Sequence, residues 1–423
     1  MKKRFYLGVL IPLFLIIFSA CGGSTTTGST KVTINWWHIS TTDPGKTIWQ
    51  NLANQYMKLH PNVTVKITVL ENESFKTKLA TDMQSGNPPD LFMSWGGGVL
   101  FQYAKAGLVQ DITPDLQGTA WGNSFTKSAL DVYGQNGHYY GVPFDMGGVG
   151  FWYNKALFAK AQIAQPPTTW SEFLQDIQKL KNAGITPIAV GEKDKWPGMY
   201  YWAYLGLREG GQAAMSKIIN GTGSFADPPF VKAGQDLQDL IALNPFQPGY
   251  LGAAYGDENT AMGNSKAAME LMGQWAPGAD SGAATDKKGP ALGFFPFPMV
   301  EGGAGNATDV FGGGGGFAIG KNAPPQTVDF LKFLLNSQNE RSFAKQGFVL
   351  PTTKATSDAV ANPLQKQVVQ MVSNASFFQL FLDQYFPPAV GQTIIDSVQG
   401  LFAKTLSPAT VAQQVQESNA AAS

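Results

Sequence analysis

The segment FGGGGGFAIGKN, Phe311 to Asn322, sets five glycines in front of a short apolar run and a Gly-Lys pair. Gly315 to Lys321 meets every requirement of the phosphate-binding pattern G-x-x-x-x-G-K-[ST] except the last, where Asn322 stands. A phosphate loop follows a strand and opens a helix, with its lysine at the helix start. Here the order is reversed: FAIG reads as a strand after the glycines, and KNAPPQ interrupts the chain before a helix begins near Thr327. The glycines therefore need another purpose, which the surrounding segments supply.

Upstream, KVTINWWHI alternates like a strand, and Ile48, Leu52, Tyr56 and Leu59 follow at helical spacing. VTVKITVL predicts a second strand, Phe75 to Gln84 a helix, and PDLFMSW a third strand entered through GNPP. Trp170 to Asn182 reads as a helix capped by PTTWSE, followed by the strand ITPIAV. Thr327 to Leu335 and Glu340 to Gln346 read as further helices. Such β-α-β alternation implies an α/β chain with mostly parallel sheet covered by helices. At 423 residues the chain exceeds one ordinary hydrophobic core, so two domains are expected.

The N-terminus reads as a signal rather than as structure. Lys2, Lys3 and Arg4 precede the apolar run Phe5 to Phe18, which is short for a membrane span and is followed by Ser19, Ala20 and Cys21. Residues 1–20 form the expected signal peptide; Cys21, the only cysteine, is the expected lipidation site, and residues 22–30, GGSTTTGST, a flexible tether. FSAC resembles the bacterial lipobox, although Phe18 stands where leucine is usual. Without residues 1–20 the chain carries 27 basic and 30 acidic residues, net −3, which argues against nucleic acid as a partner.

An ordered set of segments, LHPNVTVKI, SGNPPDLFMSW with YAKAGLVQDITPDL, NGHYYGVPFDMGGVGFWYNKALFAKA with PPTTWSEF, SKAAMELMGQWAPG, LGFFPFPM and FLKFLLNSQNERSFAKQGFVLPTTK, resembles the extracellular solute-binding proteins of carbohydrate importers, the group that includes maltose-binding protein. The resemblance implies a two-lobed periplasmic-binding-protein-like fold whose lobes are joined by crossing segments, with the ligand in the cleft between them. Placed on this sequence, the crossings fall near Tyr139 to Gly148, at DVFGGGGGFAIG and near FVLPTTK. The lobes become residues 31–143 with 310–348, and 144–309 with 349–423. The implied partners are a mono- or oligosaccharide, the permease subunits of an ATP-driven importer, and the membrane through a lipid anchor, with the protein itself monomeric and on the outer face of the cell membrane.

Sugars present C–H faces that aromatic rings cover and hydroxyls that carboxylates and amides bind. Trp36 and Trp37 lie on one strand and point to opposite faces, so one is expected in the core and Trp37 facing the cleft, with His38 as a hydroxyl partner. Trp95 ends the third strand, at the carboxyl edge where open α/β sheets bind ligands. Asp145, inside the first crossing, is a candidate hydroxyl acceptor; its alternative is a structural cap or ion pair. Trp275 in MGQWAPG matches an aromatic floor of the family, and one of Trp196 and Trp202 is a candidate wall, with helix packing as the alternative. Gly313 and Gly314 in the return crossing are candidate backbone contacts. Asp257 and Glu258 read as helix-end charges.

No G-x-S-x-G elbow, H-E-x-x-H pair or EF-hand loop occurs in the sequence, so neither a catalytic triad signature nor a metal or cofactor is expected. A glycoside hydrolase, which needs only two acids, and a binder of a non-sugar solute remain the alternatives.

Overall fold

The computed structural model describes residues 31–347 and 349–422; Cys21, the signal segment 1–20 and the tether lie outside the described residues. Two α/β units carry separate sheets. The first sheet runs Val63–Val69, Val32–His38, Leu91–Ser94, Gly316–Ile319, Gly141–Pro143. Its first three strands are parallel and Gly316–Ile319 is reversed against both neighbours. The second runs Leu292–Phe295, Gly150–Asn154, Ala267–Met272, Thr186–Ile188, with only Gly150–Asn154 reversed. In each sheet the reversed strand is the one that enters directly from a crossing. A chain coming from the opposite lobe arrives from the other end, so each mostly parallel sheet contains one strand of opposite sense.

A third, small sheet lies where the crossings meet the second unit. Val310–Gly313 pairs with Phe378–Leu380 on one side and with Gly147–Gly148 on the other. The apolar cores locate the crossings to within a few residues: Phe144, Phe317 and Val349 belong to the first core, whereas Val149, Phe311 and Leu350 belong to the second. The strand Val310–Gly313 thus packs with the second lobe, a few residues beyond the sequence-based boundary at 310.

The glycine run has a steric cause. A Cβ on Gly312 would lie 2.4 Å from the Gly147 carbonyl oxygen, one on Gly314 1.9 Å from that of Asp145, and one on Gly316 2.4 Å from that of Val142. None of residues 312–316 has a positive φ among the described backbone. Gly312 and Gly314 thus lie against the backbone of the first crossing and Gly316 against that of Val142, while the sites on Gly313 and Gly315 are filled by the Phe381 and Phe144 rings, so the run serves close packing and not a need for glycine's extra conformations.

Local signals hold the flanking elements. Thr169 Oγ1 accepts from the Glu172 N–H and Glu172 Oε2 accepts from that of Thr169, closing a capping box on Trp170–Asn182. Buried Arg208 donates to the carbonyls of Phe297, Pro298, Asn306 and Asp309, fixing the loop that leads into the return crossing. Among the described residues no helix is long and apolar enough to cross a membrane.

Candidate functional site

A cavity of about 310 Å³ opens between the lobes. Its first-lobe wall comes from the carboxyl ends of the three parallel strands. The loop Ile39–Gly45 follows Val32–His38, Glu71 and Asn72 follow Val63–Val69, and Trp95 follows Leu91–Ser94. This is the edge where parallel sheets leave a crevice. Lys76 enters from the helix Asn72–Gln84. The second-lobe wall comes from helix starts: Trp196 and Tyr200 on Trp196–Ile219, Tyr255 and Asn259 on Tyr255–Gly263, and Trp275 at the N-cap of Ala276–Ala283. Phe144, Asp145, Gly314, Gly315 and Val349 of the crossings close the floor, with Phe381 and Asp383 beside them.

Of the residues chosen from sequence, Trp95, Asp145, Trp196, Trp275 and Gly314 line this one cavity. Trp95 and Trp275 are half-buried. The Trp95 ring stands edge-on to Phe75 with centroids 5.9 Å apart, and the Trp275 ring edge-on to Phe381 at 6.2 Å. Gly273 leaves space for the Trp275 ring, since a Cβ there would lie 2.2 Å from it. Trp196 packs on Tyr200 and Tyr255 at 5.4 and 4.9 Å. Trp202 is wholly buried in the second core, its indole N–H donating to the Phe230 carbonyl.

Trp37, His38 and Gly313 do not line the cavity. Trp36 and Trp37 do point to opposite faces, but helices cover both faces of this strand, so both rings are interior. Trp36 meets Trp49, Phe317 and Phe330 edge-on, and Lys78 Nζ lies 4.5 Å from the Trp37 ring centre. His38 is 2 % exposed, and burial lowers its pKa to about 4, so the ring is neutral at pH 7. Its Nδ1 accepts from the Ser40 N–H at 3.2 Å, so His38 shapes the start of the lining loop from within. The Gly313 site is closed by the Phe381 ring, 2.5 Å from where a Cβ would stand.

Asp145 sits where all three crossings meet. Its Oδ1 accepts from the Leu350 N–H at 2.7 Å and its Oδ2 from Gln274 Nε2 at 2.7 Å, while its own N–H donates to the Gly315 carbonyl. One carboxylate thus ties the first crossing to the third and to the second lobe. Its structural role is to pin the joint. Burial raises its pKa to about 7, against the opposing effect of these donors.

Sequence reasoning missed Lys76, Asp383 and Tyr255. Lys76 Nζ contacts Asp383 Oδ2 and Glu73 Oε1, each at 3.1 Å, and lies 5.6 Å from the Trp95 ring centre. The glycines after Trp95 serve this neighbourhood. Gly96 and Gly97 have φ of 73° and 64°, and Cβ atoms on Gly97 and Gly98 would lie 2.6 and 2.5 Å from the carbonyl oxygens of Gln384 and Tyr385. They let the segment carrying Asp383 dock on the first lobe.

Behind the second-lobe wall lie buried acids. Asp257 caps its helix by accepting from the Ala254 N–H at 2.9 Å, but Glu258 is not a surface charge. It is 1 % exposed, accepts from the Gly191 N–H at 2.7 Å and adjoins Glu270 and Asp280. Burial, then the neighbouring acids, raises the pKa of Glu258 and Asp280, and burial raises Glu270 to about 7. Glu340, held by Thr353 and Thr352, is likewise raised by burial to about 7.

These acids bind protons more tightly folded than unfolded. Their stabilisation is complete below the unfolded carboxylate range and is lost as pH rises from about 4 through 7. His38 opposes this below about 6.5, since only the unfolded ring is then protonated. The acids outnumber it, so the melting midpoint is expected about 3–5 °C lower at pH 8 than at pH 5.5, for a net loss of about 2–4 kcal/mol. Calorimetry checks this, and a midpoint that rises with pH would contradict it.

Among the described residues no group of His, Cys, Asp and Glu is arranged to hold a metal ion. Two α/β lobes, three crossings and an aromatic-walled cleft between them define a two-lobed solute-binding architecture. The chain belongs to the bacterial extracellular solute-binding protein family, which it matches over residues 39–341. It is 25 % identical over 395 residues to an ABC transporter extracellular-binding protein of Pyrococcus horikoshii, covering 89 % of this chain and 86 % of that one. It is 26 % identical over 375 residues to the diacetylchitobiose binding protein of Streptomyces coelicolor, covering 84 % and 83 %. A solved structure described for xylan utilization by Caldanaerobius polysaccharolyticus superposes with a TM-score of 0.85 at 31 % identity, over 91 % of this chain and 99 % of that one.

Proposed function

We propose that the protein captures a sugar in the interlobe cleft and delivers it to the permease of an ABC importer. The observation that carries this reading is the convergence of Trp95 from one lobe and Trp196 and Trp275 from the other on a single cavity that also presents Asn72, Asn259 and carboxylates. Rings for the C–H faces and polar groups for the rim are what a pyranose requires. The relatives named for diacetylchitobiose and xylan support a glycan over an amino acid, iron or phosphate ester. A ligand touching both lobes favours their closed arrangement by its differential affinity for it, and the closed lobes form the surface that a permease reads.

The protein acts as a binder, not a hydrolase. Of the four carboxylates that face the cavity, Asp43, Asp145 and Asp383 already accept bonds from protein donors, which supports binding over the free acid and nucleophile or base pair that a glycosidase keeps at the scissile bond. Cys21 would carry the lipid anchor that keeps a monomeric protein on the outer face of the membrane. A thermal-shift screen against mono- and oligosaccharides tests the reading, because saturating ligand raises stability by mass action. At least one sugar should raise the midpoint with no release of reducing ends; steady product formation would make the protein an enzyme, and no stabilisation by any sugar would remove the proposal.

A further inference from the structure

The charge lining the cleft is lopsided. Asp43, Glu71, Asp145 and Asp383 face the cavity, and among the described lining residues Lys76 is the only cation. Lys76 is already committed: its ammonium is sandwiched between Asp383 and Glu73, and Asp383 Oδ2 also accepts from Gln384 Nε2 at 2.7 Å. Burial works against the charge on Lys76, but the two acids hold its pKa above that of an ordinary lysine. Asp194 stands close behind, accepting from the Tyr255 N–H at 2.8 Å, and Lys195 beside it is paired with Asp396 at 2.6 Å. No cation facing the cavity among the described residues is therefore left to receive an anionic ligand.

We infer that the cleft selects by charge, accepting uncharged sugars and rejecting uronates of the same ring geometry. The inference rests on the sugar reading above and adds the chemical class within it. A hexuronate differs from its neutral counterpart by one carboxylate, which would enter the cavity beside Asp43 and Glu71, with Asp145 partly ionised and Asp383 already offset by Lys76, and would find no free cation as a partner. Like-charge juxtaposition at an interface disfavours binding by several kcal/mol.

The test is calorimetric titration of the mature protein with matched probes at low salt. One pair is xylo-oligosaccharides with and without a glucuronate branch; the other is galacto-oligosaccharides and oligogalacturonates. The neutral member of at least one pair should bind, and its uronate should bind weaker by about a hundredfold or more. Asp383→Asn removes one of the two acids that hold Lys76 and one carboxylate that faces the cavity, leaving the Glu73 pair in place, so the gap should narrow roughly tenfold in that variant, the worth of one charge partner. Added salt should also narrow it in the parent. Equal or tighter binding of a uronate overturns the charge inference while leaving the sugar reading intact. Failure of every probe, neutral and acidic, in this titration and in the wider screen overturns both. If Asp383→Asn does not fold, the comparison in the parent protein decides alone.

Discussion

Gly314→Ala should destabilise the protein by about 3 kcal/mol or more, toward or beyond the upper end of what overpacking usually costs. The added methyl would stand 1.9 Å from the Asp145 carbonyl oxygen, 2.3 Å from its carbon and 2.7 Å from the Met146 nitrogen, all of them backbone. Backbone cannot swing aside as a flexible side chain does, so the two crossing strands must separate. Separation pulls on the Asp145 bonds to Leu350 and Gln274 and so on the relative setting of the lobes. Gly252→Ala is the control, since its Cβ meets nothing within 4 Å and φ there is not positive; it should change stability by less than about 0.5 kcal/mol. Denaturant melts of the two variants decide the matter, and equal midpoints would mean that the crossings are not packed as described.

Trp275→Ala should weaken sugar binding tenfold or more. A lost ring contact removes about 0.5–1.5 kcal/mol of stacking in addition to the apolar area it covered, and about 1.4 kcal/mol corresponds to tenfold. The ring is positioned for this by its neighbours, Gly273 beneath it and Phe381 at its edge. Trp275 also occupies the N-cap of Ala276–Ala283 but caps it with no side-chain hydrogen bond, so truncation leaves the helix start intact. Trp275→Phe should restore part of the affinity. Affinity within twofold of the parent for the alanine variant would remove Trp275 from the site.

The two lobes and the lining edge were legible because they rest on local patterns. Strand alternation and helical spacing marked the β-α units, and Trp95 lay where a parallel strand ends. The same local logic failed one strand away. Alternation separates Trp36 from Trp37 correctly, but only the tertiary structure shows that helices cover both faces, and the cleft begins at Ile39. Lys76 carried no mark that distinguished it from Lys78 two residues on. Its partner Asp383 is 307 residues away, a separation that no periodicity reports. The physical cause of the glycine run was not legible: a string of glycines is compatible with unusual backbone angles or with close approach, and the structure shows close packing with no positive φ over 312–316.

Asp145 shows how one residue can support two readings. An acid in a crossing invites a ligand hydroxyl, and it does line the cavity. Both of its oxygens nevertheless already accept bonds within the protein, from Leu350 and Gln274. Whatever it offers a ligand, it offers from a position that also fixes how the lobes meet.

The central claim is that one ligand is held by both lobes at once. Amide hydrogen exchange with and without a stabilising sugar tests it most directly. Protection should increase in the cleft segments of both lobes, 39–45 and 71–76 on one side and 255–259 and 275–279 on the other, and at the crossing around Gly314. Protection confined to one lobe, or appearing away from the cleft, as at the groove lined by Tyr153, Phe158 and Pro166, would contradict it.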